Sequence, residues 1–261
     1  MSDFDQTVFE EYRQLLHDCM KAAVGTIQQI TKVENGTSDL LVLALYASLV
    51  EYVNCALTLA GKKISAGDDV IFRSFLEGFV DLKNLLSVGN YNLHLQLEHD
   101  MNWDRVLKAA ADGNPFFETI ALSADRADRH AEHNENIHNL RAAGIKKLTV
   151  KEKFKLAGLE QEYDSIYAFS SREAHNGLGA LMRRHFVENG ENYVIKLNHW
   201  DADRCSLRFD GYLSFLTDAT YLVANRFNCD ADALFGPISE RVIKLRKFVS
   251  EGPDGERNGS R

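Results

Sequence analysis

The 261-residue sequence predicts an all-α protein, a multi-helix bundle with one small β-hairpin insert near residues 184–198. Three observations carry this. The chain holds only three prolines, and prolines break helices and punctuate loop-rich folds. Apolar residues return at three- and four-residue steps through most of the sequence. The period changes to strand-like alternation in one place only, where Phe186-Val187-Glu188 and Tyr193 to Leu197 flank Asn189-Gly190, the usual turn pair of a tight hairpin.

Residues 3–30 read as a long amphipathic helix, with Phe9, Tyr12, Leu15, Leu16, Cys19, Met20 and Ala23 on one face. The run VENGTS breaks it, and Ser38 is a plausible N-cap for an apolar helix that ends at Gly61. Leu40 to Ala60 is long enough to span a bilayer. Glu51 stands at its centre, where a charge costs roughly 2.5–3.5 kcal/mol on insertion scales. A helix buried among other helices, with no membrane partner, is the better account.

Ser65 and Asp68 form an S-x-x-D start signal for a helix over Asp68 to Ser87. A fourth helix covers about Asn92 to Ala111, and Asn114-Pro115 opens a fifth that becomes highly polar before Gly144. Thr149 and Glu152 make a capping box for a short helix ending near Gly158. The next helix starts near Glu160 and is weakened by Gly177 and Gly179. After the hairpin, Trp200 and Asp201 begin a long helix to about Phe227, with Leu207, Phe209, Tyr212, Leu213, Leu216 and Tyr221 as its core stripe. A last helix, bent at Gly236-Pro237, carries Arg241, Lys244, Arg246 and Lys247. No repeat or composition shift marks a boundary, so residues 1–250 form a single helical domain and 251–261 a disordered tail.

A net charge of −8 argues against a dedicated nucleic-acid binder, without excluding a local basic groove. Cys19, Cys55, Cys205 and Cys229 are far apart and form no C-x-x-C pair, which points to reduced thiols in a cytoplasmic protein. The N-terminal segment is acidic and lacks an apolar signal core. Phosphate loops of the G-x-x-x-x-G-K type, G-x-S-x-G elbows and H-E-x-x-H pairs are absent, and no cofactor is expected. The cluster His130, His133 and His138 with Asp128, Glu132 and Glu135 contains one E-x-x-H, half of a di-iron carboxylate motif. A second copy is missing, so no metal site is expected.

Two polar lines stand out. Arg73, Glu77, Asp81 and Asn84 follow one another at steps of four and three, among Phe72, Phe75, Leu76, Phe79 and Val80. A buried arginine and carboxylate must pair, for structure or for function. In YDSIYAFSSREAHNGL, Asp164, Ala168, Ser171 and His175 share a line, with Tyr163, Tyr167 and Ser170 beside it. Histidine exchanges protons near neutral pH, and Arg172, Arg183 and Arg184 supply charge for a phosphate.

Arg73-Ser74-x-x-Glu77, then Tyr163-x-x-x-Tyr167-x-x-x-Ser171-x-x-x-His175, resembles a family of prokaryotic helical proteins classed as a domain of unknown function. The resemblance covers roughly residues 40–200 and implies a helical fold with paired polar motifs. More distantly the chain resembles HEPN domains, which include metal-independent ribonucleases of defence and toxin systems. Their signature is an arginine followed by four to six residues and a histidine. His175 departs from it, because Arg172 is only three positions earlier. Arg126 and His133 satisfy it, within a run polar enough to be a solvated helix face.

The expectation is therefore a site with His175, Arg73 and Glu77 as its catalytic groups and Tyr163, Tyr167, Ser171, Arg172 and Arg183 as binding groups. It would act on RNA or a nucleotide, with a homodimer compatible with an apolar bundle of this size. The competing expectation is a non-enzymatic interaction or scaffold module in which the same side chains form a structural network.

Overall fold

The computed structural model describes residues 3–30, 33, 37–65, 67–175, 177–190, 192–197 and 200–252. Of the tail expected to be disordered, 251–261, Glu251 instead closes the last helix, and 253–261 lie outside the described residues, as does most of the loop after the first helix. Helices α1 (Asp3–Gln29), α2 (Thr37–Gly61), α3 (Asp68–Ser87), α11 (Ala202–Phe227) and α12 (Asp232–Glu251) build the main core. Between them run α4 (Tyr91–Ala111), α5 (Glu118–Ala121), α6 (Arg126–Ala142), α7 (Val150–Leu156), α8 (Glu160–Glu162), α9 (Ala168–Ala174) and α10 (Leu178–His185). The antiparallel pair β1 (Phe186–Asn189) and β2 (Asn192–Ile195) follows α10. The fold is all-α with a small β-hairpin, as the periodicity predicts.

α1 packs most extensively on α11, and α2 on α3. Leu15, Leu16, Cys19, Tyr46, Leu49, Phe75, Phe209 and Tyr212 are fully buried at this junction. The Tyr46 hydroxyl meets the Thr220 hydroxyl at 2.7 Å, so the phenol is not an unsatisfied polar group in the core. α2 is long and apolar enough to cross a membrane by length and composition. It is less enclosed than expected: Val42, Tyr46, Leu49 and Val53 are buried, while Glu51, Asn54 and Cys55 are exposed.

Several boundaries differ from the sequence expectation. Ser38 lies inside α2 rather than capping it, since the helix already includes Thr37. α3 follows Gly67, in the left-handed conformation at φ +94°, and no side-chain cap closes on it. The Asp68 carboxylate is drawn instead to Arg208 on α11, a stronger partner than a backbone N–H. Asn114 does accept from the Phe116 N–H at 3.0 Å. The helix it opens is not continuous, however, and splits into a 3₁₀ turn at Pro115–Phe117, the short α5, and α6.

The polar run of α6 is not simply solvated. It packs along α4, where His133 Nδ1 lies 2.8 Å from the buried Asp100 carboxylate and His130 Nε2 lies 3.0 Å from Asp104. In the hairpin the register pairs Asn189 with Asn192, so the loop begins at Gly190 (φ +62°), one residue later than predicted. α11 is capped by Asp201, whose carboxylate accepts from the Arg204 N–H at 3.0 Å. Leu207, assigned to the core stripe, is 76% exposed, and Arg208 holds the inward position next to it.

Candidate functional site

The site is built by α3 and by the segment from Tyr163 to His175. Thr149 and Glu152 close a reciprocal capping box on α7, and α7 packs on α3. Phe154 of α7 then seats Tyr163 and Tyr167, with ring centroids at 5.5 and 4.9 Å. Tyr163 to Tyr167 form a π-helical turn between α8 and α9. One extra residue in such a turn rotates everything after it relative to an unbroken α-helix. The predicted line through Asp164, Ala168, Ser171 and His175 is therefore broken, because it assumes a constant 100° step. Asp164 is exposed, while Tyr167, Ser170 and Glu173 form the inward face.

Tyr167 reaches α3. Its hydroxyl donates to Glu77 Oε1 at 2.7 Å and accepts from Arg73 Nε–H at 3.2 Å. Arg73 Nε–H also bonds Glu77 Oε1 at 2.9 Å, and the guanidinium carbon stands 5.6 Å from the Tyr167 ring centroid. Arg73 Nη1 hydrogen-bonds to His175 Nε2. A guanidinium can only donate, so His175 Nε2 accepts and the ring proton belongs on Nδ1. The two helices thus meet through one four-residue cluster. Its Arg73 and Glu77 side chains are 25% and 37% exposed, so the pair borders solvent rather than lying sealed in the core. Asp81 and Asn84 belong elsewhere: Asp81 accepts from Tyr91 and Lys153, and Asn84 donates to the Lys153 carbonyl at 2.8 Å.

Burial and the Glu77 carboxylate push the Tyr167 phenol up to about 12, so it stays a donor at neutral pH. Burial works against the Arg73 charge, but its hydrogen bond to Tyr167 and the charge of Glu77 outweigh it and hold Arg73 above its ordinary value. His175 ends the helix: its own φ and ψ are −88° and 19°, and its N–H bonds the Ser171 carbonyl at 3.1 Å. The chain turns back sharply here. A side chain at Gly177 would meet the Arg172 carbonyl oxygen at 3.1 Å, which is why glycine serves.

His175 stands at the edge of a cavity of about 540 Å³, with Ser171, Arg172, Glu173, Leu178 and Arg183 among its lining residues. Four of the predicted site residues therefore line one cavity, and Arg73, Glu77 and Tyr167 connect to it through His175. Tyr163 stacks on Tyr167 at 5.4 Å and supports it from behind, without a hydrogen bond to the cluster among the described residues.

A second set of side chains joins Arg183 and Arg184 to Arg204, Arg208 and Glu173, which the site expected from sequence does not include. Arg208, only 8% exposed at its side chain, bonds Asp68 and also Asp69 Oδ1 at 3.1 Å. Arg204 Nη2 bonds Asp69 at 2.9 Å and Glu173 at 2.5 Å. Glu173 also pairs with Arg183, and its carbonyl accepts from Arg184 at 2.8 Å. The signal was present: Arg208 occupies an apolar stripe with Cys205, Phe209, Tyr212 and Leu216, and a cation there requires a buried acid. The acid's address, 140 residues away, was not legible. Among the described residues no group of three or more His, Cys, Asp or Glu side chains is arranged to hold a metal ion.

Fold and site together define an all-α protein whose cleft joins an Arg–Glu helix to a Tyr/His segment. The chain belongs to a family of unknown function, DUF5677, which matches residues 39–193. That match takes in α2 through most of the hairpin, including Arg73 and His175, and excludes Arg204 and Arg208. No match was found among curated proteins or among solved structures.

Proposed function

We propose that the protein is an RNA- or nucleotide-directed phosphotransfer enzyme of HEPN-like logic, with Arg73 and His175 as its catalytic pair. The observation that carries the reading is the hydrogen bond from Arg73 to His175 at the rim of a cavity lined by Arg172 and Arg183. A bound phosphate competes for the Arg73 guanidinium, which is the better match for a phosphate oxygen than for an imidazole. Release of His175 Nε2 leaves a free lone pair beside the phosphate. His175 then takes the proton of a ribose 2′-hydroxyl as the 2′-oxygen attacks phosphorus. The bond to the 5′-oxygen breaks, that oxygen takes up a proton, and a 2′,3′-cyclic phosphate remains. Arg73 offsets the charge gathering on the phosphoryl oxygens, held in direction by Glu77 and Tyr167. On this reading the protein works in the cytoplasm in a defence- or toxin-type role.

One observation favours a second reading, a structural network in a non-enzymatic module. Arg73 Nε already has two acceptors, Glu77 and Tyr167, so the cluster is well satisfied without a ligand. One experiment separates the two. Purified protein, His175→Ala and Arg73→Ala are compared for cleavage of a labelled RNA and for melting temperature. Catalysis predicts 2′,3′-cyclic ends and a loss of about 100-fold or more in either variant, with little change in melting for His175→Ala, which removes only one bond of the cluster. Absence of cleavage by the parent protein, with both variants strongly destabilised, would establish the structural network.

A further inference from the structure

The cavity at His175 has a neighbour. About 200 Å³ of space is lined by Asp69, Asp201 and four arginines, Arg183, Arg184, Arg204 and Arg208. Arg183 lines both cavities and so forms their shared wall. The second cavity lies between α10 and the first turns of α11, outside the Arg73–His175 cluster.

From this juxtaposition we infer that the two cavities form one track for a phosphodiester chain, with the arginine cavity taking a phosphate next to the one at His175. The inference rests on the proposed function and narrows its ligand to single-stranded RNA rather than a mononucleotide.

Three features support it. The first is donor density: four guanidinium groups, each with five N–H donors, converge on a small space, although four carboxylates balance their charge. Asp201 spends its carboxylate on the α11 cap, and Asp68, Asp69 and Glu173 share the rest of the pairing. The second is an unfilled donor. Arg204 places both of its carboxylate bonds on Nη2, and its Nε–H is buried with no hydrogen-bond partner. A buried polar group without a partner calls for an acceptor; Arg204 lines the cavity, and a turn of its side chain would offer that edge to a phosphate oxygen, the acceptor it fits best. The third is an aromatic face. Phe169 is 45% exposed on the wall of the larger cavity, and the Arg204 guanidinium carbon sits 5.5 Å from its ring centroid. Basic grooves with exposed aromatic faces hold single strands by backbone contact and base stacking.

The test is a binding titration with an end-labelled single-stranded RNA of about eight nucleotides, the DNA of the same sequence, and a nucleoside monophosphate, each at several salt concentrations. The RNA is expected to bind at least tenfold more tightly than the monophosphate and with a steeper salt dependence. Arg204→Lys keeps the charge but loses the planar fork, and Arg184→Ala removes one charge. Each should weaken RNA binding severalfold, Arg184→Ala also reducing the salt slope by about 0.7, while leaving monophosphate affinity near the parent value; Arg184→Ala should leave the melting temperature near the parent's as well, whereas Arg204→Lys lowers it through weaker pairing with Asp69 and Glu173. Equal affinity for RNA and monophosphate, with His175→Ala still weakening both, would overturn the track and leave the proposed function standing. RNA affinity unchanged in both arginine variants would do the same. DNA binding as tightly as RNA would overturn the assignment to RNA. Failure of every ligand to bind would remove both readings.

Discussion

One hydroxyl, on Tyr167, binds both the carboxylate of Glu77 and the guanidinium of Arg73. Tyr167→Phe keeps the ring against Phe154 and removes only these bonds. Denaturant unfolding should show a loss of about 1.5–3 kcal/mol, the range for hydrogen bonds to charged groups. Glu173 sets a pH-dependent prediction. Burial alone would raise its carboxyl, but Arg204, then Arg183, outweigh burial and hold it below its ordinary value. A depressed carboxylate stabilises the fold above its unfolded value near pH 4.5, and that contribution fades as the pH falls through the folded value. Glu173→Gln should therefore cost roughly 3 kcal/mol near pH 7, and the gap to the parent should close under acid conditions. A gap that stays constant from pH 7 to pH 3 would show that the lost interaction is not ionic. At this scale the sequence was informative about identity and blind about address. Arg73, Glu77 and His175 could be nominated from spacing, whereas no local pattern marks Glu173 as buried.

The capping box on α7 was readable because it is local, with both partners within four residues. Lys146, Thr149 and the backbone hold the Glu152 carboxylate down to about 2, so the box persists well into acid. Thr149→Ala should destabilise the protein by about 1 kcal/mol and loosen the seat of Tyr167. Amide exchange over residues 150–157 is the direct check. The π turn at Tyr163–Tyr167 was not readable. It adds one residue to a helical turn without glycine or proline to announce it, and packing of Phe154 against two tyrosines holds it. The break in the fifth predicted helix was hidden for a related reason. Asn114-Pro115 is a sound start signal, but the sequence does not say how far a start propagates.

Among the described glycines, Gly211 makes the closest approach to a neighbouring element. A Cβ placed on Gly211 of α11 would come within 2.7 Å of the Phe72 ring on α3. Phe72 cannot yield readily, since Tyr212 packs edge-on against it at 4.7 Å and Phe75 lies beside both. Gly211→Ala should destabilise the whole molecule by about 1–3 kcal/mol through overpacking, read as a lower urea midpoint with an unchanged slope. Such close approach brings the N-terminal turns of α3 and α11 together, and the Asp68–Arg208 and Asp69–Arg204 pairs occupy that end of the contact. By itself the sequence determined the helical class, the hairpin, the α7 cap, and the two helices that carry Arg73 and His175. These follow from periodicity and turn chemistry, which act over a few residues. Only the tertiary structure decided that the two helices meet, that a π turn rather than a regular helix aims Tyr167, and that Arg204 and Arg208 from α11 border the cleft. Those outcomes depend on which apolar faces pack together and on charges paired across more than a hundred residues, and no local rule encodes either.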